Sequence, residues 1–179
     1  MNPAANLILI GPMGAGKTSI GKRLAQRFGL HFVDADHAIE AATGTTIRTI
    51  FELEGEAGFR QREHAVLREL CAGGDQLIAT GGGAVLRADN RELLQRSGFV
   101  VWLRTPVERQ VERLGNDRTR PLLQTPDREA RLREIAQVRD PLYAATCDFA
   151  FDSDQRRVDV AVERLVQLVT QHWQRSEAA

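Results

Sequence analysis

Apolar residues fall along the chain in two rhythms. Short runs at Leu7–Ile10, His31–Val33, Leu77–Ala79, Phe99–Leu103 and Phe149–Phe151 are each too brief to stand as an isolated helix, and they predict five β-strands. Between and after them, apolar positions recur every three or four residues over Lys17–Phe28, Arg62–Leu70, Arg91–Gln95, Val107–Leu114, Arg128–Ala145 and Val158–Trp173, which predicts helices with one buried stripe. Strands alternating with helices predict an α/β fold, a doubly wound parallel sheet of five strands with helices on both faces. No repeat or low-complexity linker interrupts the order. One segment lacks any period: GNDRTRPLLQTP, Gly115 to Pro126, is polar, bounded by Gly and Pro, and carries two arginines. Its length suits a mobile lid over a site; the plainer alternative is a surface loop.

Composition narrows the picture. A chain of 179 residues with 42% hydrophobic content suits a single domain. Basic and acidic residues balance at 24 each, so no global field draws the protein to nucleic acid or to an anionic membrane, and any anion site must be local. Cys71 and Cys147 lie far apart without CxxC spacing, which fits a reducing compartment and reads as two small core residues. With no basic leader before the first apolar run and no stretch of membrane-spanning length, the expected location is cytoplasmic. His31, His37, His64 and His172 show no ligand-like pairing.

The chemistry begins where the first strand meets the first helix. Gly11, Gly16, Lys17 and Thr18 fit G-x-x-x-x-G-K-[ST], a loop whose curled backbone turns successive N–H groups onto phosphate oxygens at a helix N-terminus. Lys17 adds a full charge near the bridging phosphates, and Thr18 offers a hydroxyl to Mg²⁺. Only two of the 24 basic residues are lysines, Lys17 and Lys22, so a lysine here is chosen against the chain's habit; a compact ammonium fits where a planar guanidinium does not. The ligand is then a nucleoside triphosphate. An acid at a strand's carboxyl end should help hold Mg²⁺ through water, and two runs qualify: HFVDAD, with Asp34 and Asp36, and FAFDSD, with Asp152 and Asp154. Spacing does not choose between them. Chain order favours the first, Asp36 being able also to cap the following helix; the competing view makes the pair helix caps and nothing more.

Three further stretches stand out: GFRQRE (Gly58–Glu63), ATGGGAV (Ala79–Val85) and RDPLY (Arg139–Tyr143). None is specific alone. Together with GPMGAGKTSIGKRLA, DADHAIE, IFELEGEAGFRQRE and RPLL, in this order and over almost the whole chain, they closely resemble the shikimate kinases, small P-loop enzymes of aromatic amino acid biosynthesis. The resemblance implies transfer of the ATP γ-phosphoryl group to the 3-hydroxyl of shikimate, with Mg²⁺, by a P-loop NTPase-type domain spanning residues 1–179. Its P-loop would be residues 11–18, its substrate segment about 34–63 and its lid about 115–126. Nucleotide contacts would come from Gly14, Ala15, Gly16, Lys17, Thr18 and Ser19, with Arg113 against adenine and Arg120 of the lid bridging phosphates of ATP and the transferring group. Asp36 would grip the shikimate hydroxyls, Arg60 and Arg139 the carboxylate, and the Gly82 backbone would complete the pocket. Thr18, and Asp34 through water, would serve Mg²⁺, while Lys17, Asp36 and Arg120 would act on the reaction itself. Glu63 would orient Arg60, Phe51 and Phe59 would wall the ring, and Arg118 stands beside Arg120 as a second candidate in the lid. No adenine contact can be named in Ser153–Arg157, and the expected assembly is a monomer. Two alternatives remain at this point: another small-molecule kinase, for gluconate or a nucleoside monophosphate, and a slowly hydrolysing regulatory switch, although no N-K-x-D guanine signature is present.

Overall fold

Every residue of the NLILI run is buried, as a strand must be at the centre of a parallel sheet covered on both faces. In the computed structural model, which describes residues 2–115, 125–153 and 157–175, the order is β1 (Asn2–Ala4), β2 (Asn6–Ile10), α1 (Lys17–Phe28), β3 (His31–Asp34), α2 (Ala35–Thr43), α3 (Ile47–Ala72) and β4 (Gln76–Ala79). After a 3₁₀ turn at Ala84–Leu86 come α4 (Ala88–Ser97), β5 (Gly98–Arg104), α5 (Val107–Leu114), α6 (Arg128–Thr146), β6 (Phe149–Asp152), α7 (Val158–His172) and β7 (Trp173–Arg175). The five expected strands form one parallel sheet in the order β3-β4-β2-β5-β6, and β1 pairs with β7 in a separate parallel ribbon.

The pleat of β2 divides the core. Leu7 and Leu9 face one layer with Leu24 of α1 and Leu165 and Val169 of α7. Ile8 and Ile10 face the other, with Leu67 of α3, Leu94 of α4 and Tyr143 of α6. From β2 the chain builds β3 and β4 to one side, then crosses to build β5 and β6 on the other. Such a reversal opens a crevice at the carboxyl ends of the central strands, which is where the P-loop begins.

Four expectations need correction. The chain-order argument for Asp34 assumed that its strand lies close to β2, but β4 intervenes, and β3 and β6 are the two opposite edges. The helix after β3, which had been given no range, is only nine residues long, and its cap is Asp34 rather than Asp36: the Asp34 carboxylate accepts from the backbone N–H of Asp36 and of His37, leaving Asp36 in the first turn. The helix expected at Arg62–Leu70 starts much earlier, at Ile47, and is broken at Gly55 (φ 68°, ψ −174°). Its first part packs through Ile50 on Ile39 of α2, away from the sheet, so the long stripe that marks a sheet-covering helix is absent there. Cys71 is buried as expected, whereas Cys147 is only half-buried; both are free thiols.

Candidate active site

The loop from β2 to α1 is shaped by glycines. Gly11, Gly14 and Gly16 have φ of 141°, 76° and 86°, and a Cβ at Gly11 would lie 2.5 Å from the Leu103 carbonyl oxygen, so side chains are excluded on both counts. Helix α1 then starts at Lys17 with no side-chain cap and no acid in its first turn, which leaves its N-terminal N–H groups and dipole to an anion. The Lys17 ammonium donates to the carbonyls of Gly11 (2.7 Å) and Pro12 (2.8 Å), holding its charge over the loop.

Beside it, the Thr18 hydroxyl donates to the Asp34 carboxylate at 2.7 Å. That contact separates the two acidic pairs that spacing left equal, because Asp152 at the other edge is engaged by Arg104 at 2.8 Å; Asp154 lies outside the described residues. A hydroxyl and a carboxylate side by side are oxygen donors of the kind Mg²⁺ takes, completed by phosphate and water, so the residues present fit that ion. Among the described residues no group of three or more His, Cys, Asp or Glu side chains could hold a metal, and none is required by such a site.

A cavity of about 270 Å³ opens here, lined among others by Gly14, Gly16, Lys17, Thr18, Ser19, Asp34, Asp36, Gly82 and Arg113. Ala15 is fully buried behind it, its N–H donating to the Pro12 carbonyl at 3.3 Å. Arg113 reaches over from α5 to the carbonyls of Gly14 (2.7 Å) and Ser153 (3.0 Å). Ser153 in turn donates to the Ala15 carbonyl at 3.0 Å and bonds the Thr105 hydroxyl at 2.6 Å, tying the end of β6 to the P-loop. Arg118 and Arg120 lie outside the described residues.

Beyond Asp36 stand two buried arginines. Arg60 and Arg139 are 9% and 6% exposed. Arg60 donates through Nη1 to Glu63 at 2.7 Å and through Nη2 to Glu56 at 3.0 Å, while its buried Nε and the Glu63 Oε1 have no partner. Burial pushes the Glu63 carboxyl above its ordinary range and Asp36 pushes the same way, against the pull of Arg60 and Arg139. The three glycines after β4 fit around these groups. A Cβ at Gly81 would lie 2.7 Å from Asp36 Oδ1, one at Gly82 would lie 3.6 Å from Arg139 Nη1, and one at Gly83 would lie 2.6 Å from the Arg60 guanidinium carbon. The Tyr143 hydroxyl donates to the Gly82 carbonyl; burial pushes the phenol up to about 12, so it keeps its proton at any working pH. Phe59, 4% exposed, stacks on Phe51 with ring centroids 4.6 Å apart, and the Arg60 guanidinium sits 5.1 Å over the Phe59 ring.

Three of these residues were not singled out by sequence reasoning: Tyr143, Glu56 and Ser153. For two of them a signal existed. Tyr143 stands four positions after Arg139, and Glu56 four before Arg60, so each shares a helix face with a candidate arginine. Ser153 carried none, since its role depends on a contact made 138 residues away in sequence.

A family model described as shikimate kinase matches residues 13–170. The chain is 56% identical to a shikimate kinase of Stenotrophomonas maltophilia over 99% of its own length and 98% of that protein's, and 49% identical to one from Xylella fastidiosa over 98% of both. A solved structure of the shikimate kinase from Acinetobacter baumannii in complex with shikimate superposes with a TM-score of 0.91 at 45% identity, covering 95% of each chain.

Proposed function

The chain belongs to the shikimate kinase family, and from that premise we infer that it transfers the γ-phosphoryl group of ATP to the 3-hydroxyl of shikimate, yielding shikimate 3-phosphate and ADP. The relatives favour this acceptor over gluconate. The observation that carries the reading of the site is the placing of two buried arginines and Asp36 around the glycine turn, one cavity away from the P-loop. Shikimate is a small carboxylate with three hydroxyls, and a cationic clamp opposite a hydroxyl acceptor answers it group for group.

In this reading Arg60 and Arg139 hold the carboxylate, and Asp36 accepts from the ring hydroxyls and points the 3-oxygen at the γ-phosphorus. A loose transition state asks alignment of Asp36 more than early proton removal. Gly82 presents its backbone to the ring, held there by Tyr143. The N–H groups of Gly14 to Ser19 receive the phosphates, and Lys17 follows the charge that moves onto the bridging oxygen. Thr18, with Asp34 through water, would hold Mg²⁺, which when bound would neutralise phosphate charge. Arg113 covers the nucleotide from the P-loop rim, beside adenine. Arg120, in the segment about 115–126 assigned as the lid, is the residue assigned to the phosphates of ATP and the transferring group. The substrate segment is about 34–63, and the whole chain acts as one domain and as a monomer. No helix among the described residues is long and apolar enough to cross a membrane; two free thiols and a balanced charge support a cytoplasmic enzyme with no nucleic-acid partner.

Arg60→Ala tests the clamp. A charge-assisted hydrogen bond is worth about 1.5 to 3 kcal/mol, so the shikimate KM should rise roughly ten- to a hundredfold with the ATP KM unchanged. A rise confined to ATP would refute the assignment.

A further inference from the structure

The Arg60 guanidinium has three nitrogens in three different conditions. Nη1 is committed to Glu63, whose side chain is 1% exposed and cannot leave without burying a charge unpaired. Nε is buried and has no partner. Nη2 is held by Glu56, whose side chain is 52% exposed and can rotate into water at little cost.

A planar carboxylate docks on a guanidinium through two adjacent N–H donors. Nη1 already carries the buried Glu63 carboxylate and Nε is closed off by burial, so the nitrogen open to exchange of partners is Nη2. Its present partner is itself a carboxylate, and it is the displaceable one. Glu56 stands on the same helical segment as Arg60, one turn away and immediately after the break at Gly55, so its departure needs only a change of rotamer.

We propose that Glu56 is a built-in competitor for the substrate carboxylate: it pairs Arg60 Nη2 in the empty enzyme, is displaced when the shikimate carboxylate takes that nitrogen, and thereby sets the affinity for that substrate. This rests on the assignment of Arg60 to the shikimate carboxylate. The device keeps a buried cation paired between turnovers, and shikimate binding is weakened by the strength of the contact it must break. Glu56 touches no reacting atom, so its effect falls on binding and not on the phosphoryl transfer.

The test is the Kd of shikimate, measured calorimetrically without nucleotide, together with KM and kcat for both substrates, in Glu56→Gln. Gln keeps the shape and removes the charge. A half-exposed ion pair of this kind corresponds to roughly a two- to fivefold change in an equilibrium constant, so shikimate Kd and KM should fall by about that factor while kcat and the ATP KM stay put. An unchanged or raised shikimate Kd overturns the proposal. In the Arg60→Ala background the gain from Glu56→Gln should vanish; a gain of the same size there would mean a diffuse charge effect and would equally overturn it. If Arg60→Ala alone leaves shikimate binding intact, the clamp and this proposal fall together. If it weakens binding but Glu56→Gln brings no gain, only the competitor role fails. Should Arg60→Ala not fold, because Glu63 is left buried and unpaired, Glu56→Gln in the otherwise native protein still decides.

Discussion

A methyl group added at Gly83 would point straight into Arg60, 2.6 Å from the guanidinium carbon. The backbone there, with φ −99°, suits any residue, so the glycine is required by the neighbour and not by the turn. An arginine in the open would step aside, but this one is held through Nη1 by Glu63. Gly83→Ala should therefore displace the guanidinium and raise the shikimate KM roughly tenfold, about 1.4 kcal/mol, with the ATP KM near its native value; steady-state kinetics with each substrate varied in turn would show it. Equal effects on both substrates would mean that the turn itself had collapsed. At this scale the P-loop residues were legible in the sequence because one local motif carries their whole chemistry. Asp34 was legible only as one of two candidates. What distinguishes it from Asp152 is a 2.7 Å contact to Thr18 across two elements, and no spacing within a strand contains that information.

The elements were read best where burial is simple. All five strands of the main sheet were found within a residue at each end, because a parallel strand shows its buried run directly. Helices α1 and α5 were found at their full length, and the pair α2 and α3 was not. These two pack on each other through Ile39, Ile50, Phe59 and Val66, and a glycine interrupts the second, so the period that betrays a helix on a sheet never accumulates. Gly55, with φ 68° and ψ −174°, sits in a region open essentially to glycine alone, and nothing lies within 4 Å of where its Cβ would be. Gly55→Ala should then cost about 1 to 3 kcal/mol by backbone strain with no steric part, read as a lower free energy of unfolding in denaturant with an unchanged slope. A variant as stable as the native protein would show that the break is not imposed by the backbone there, and that α3 can run straight through it.

At the scale of the whole molecule, the first and last described strands meet. β1 pairs with β7, and the Trp173 indole donates to the Ala4 carbonyl at 2.9 Å while its ring packs edge-on against Phe28 of α1. Two three-residue strands so far apart have no periodic signature, which is why this ribbon escaped a reading built on local pattern. It lies away from the cavity, so Trp173→Phe should lower Tm by about 2 to 4 °C, the effect of about 1 kcal/mol in a protein of this size, and leave both KM values alone. The claim that unites the sheet, the P-loop and the arginine clamp is that this protein phosphorylates shikimate. The measurement that tests it most directly is ADP release coupled to a spectrophotometric readout, with ATP and Mg²⁺ and with shikimate, gluconate or AMP offered side by side. Turnover should appear with shikimate and stay at the acceptor-free background with the other two. Comparable turnover with gluconate or AMP, or a slow hydrolysis indifferent to every acceptor, would contradict the account.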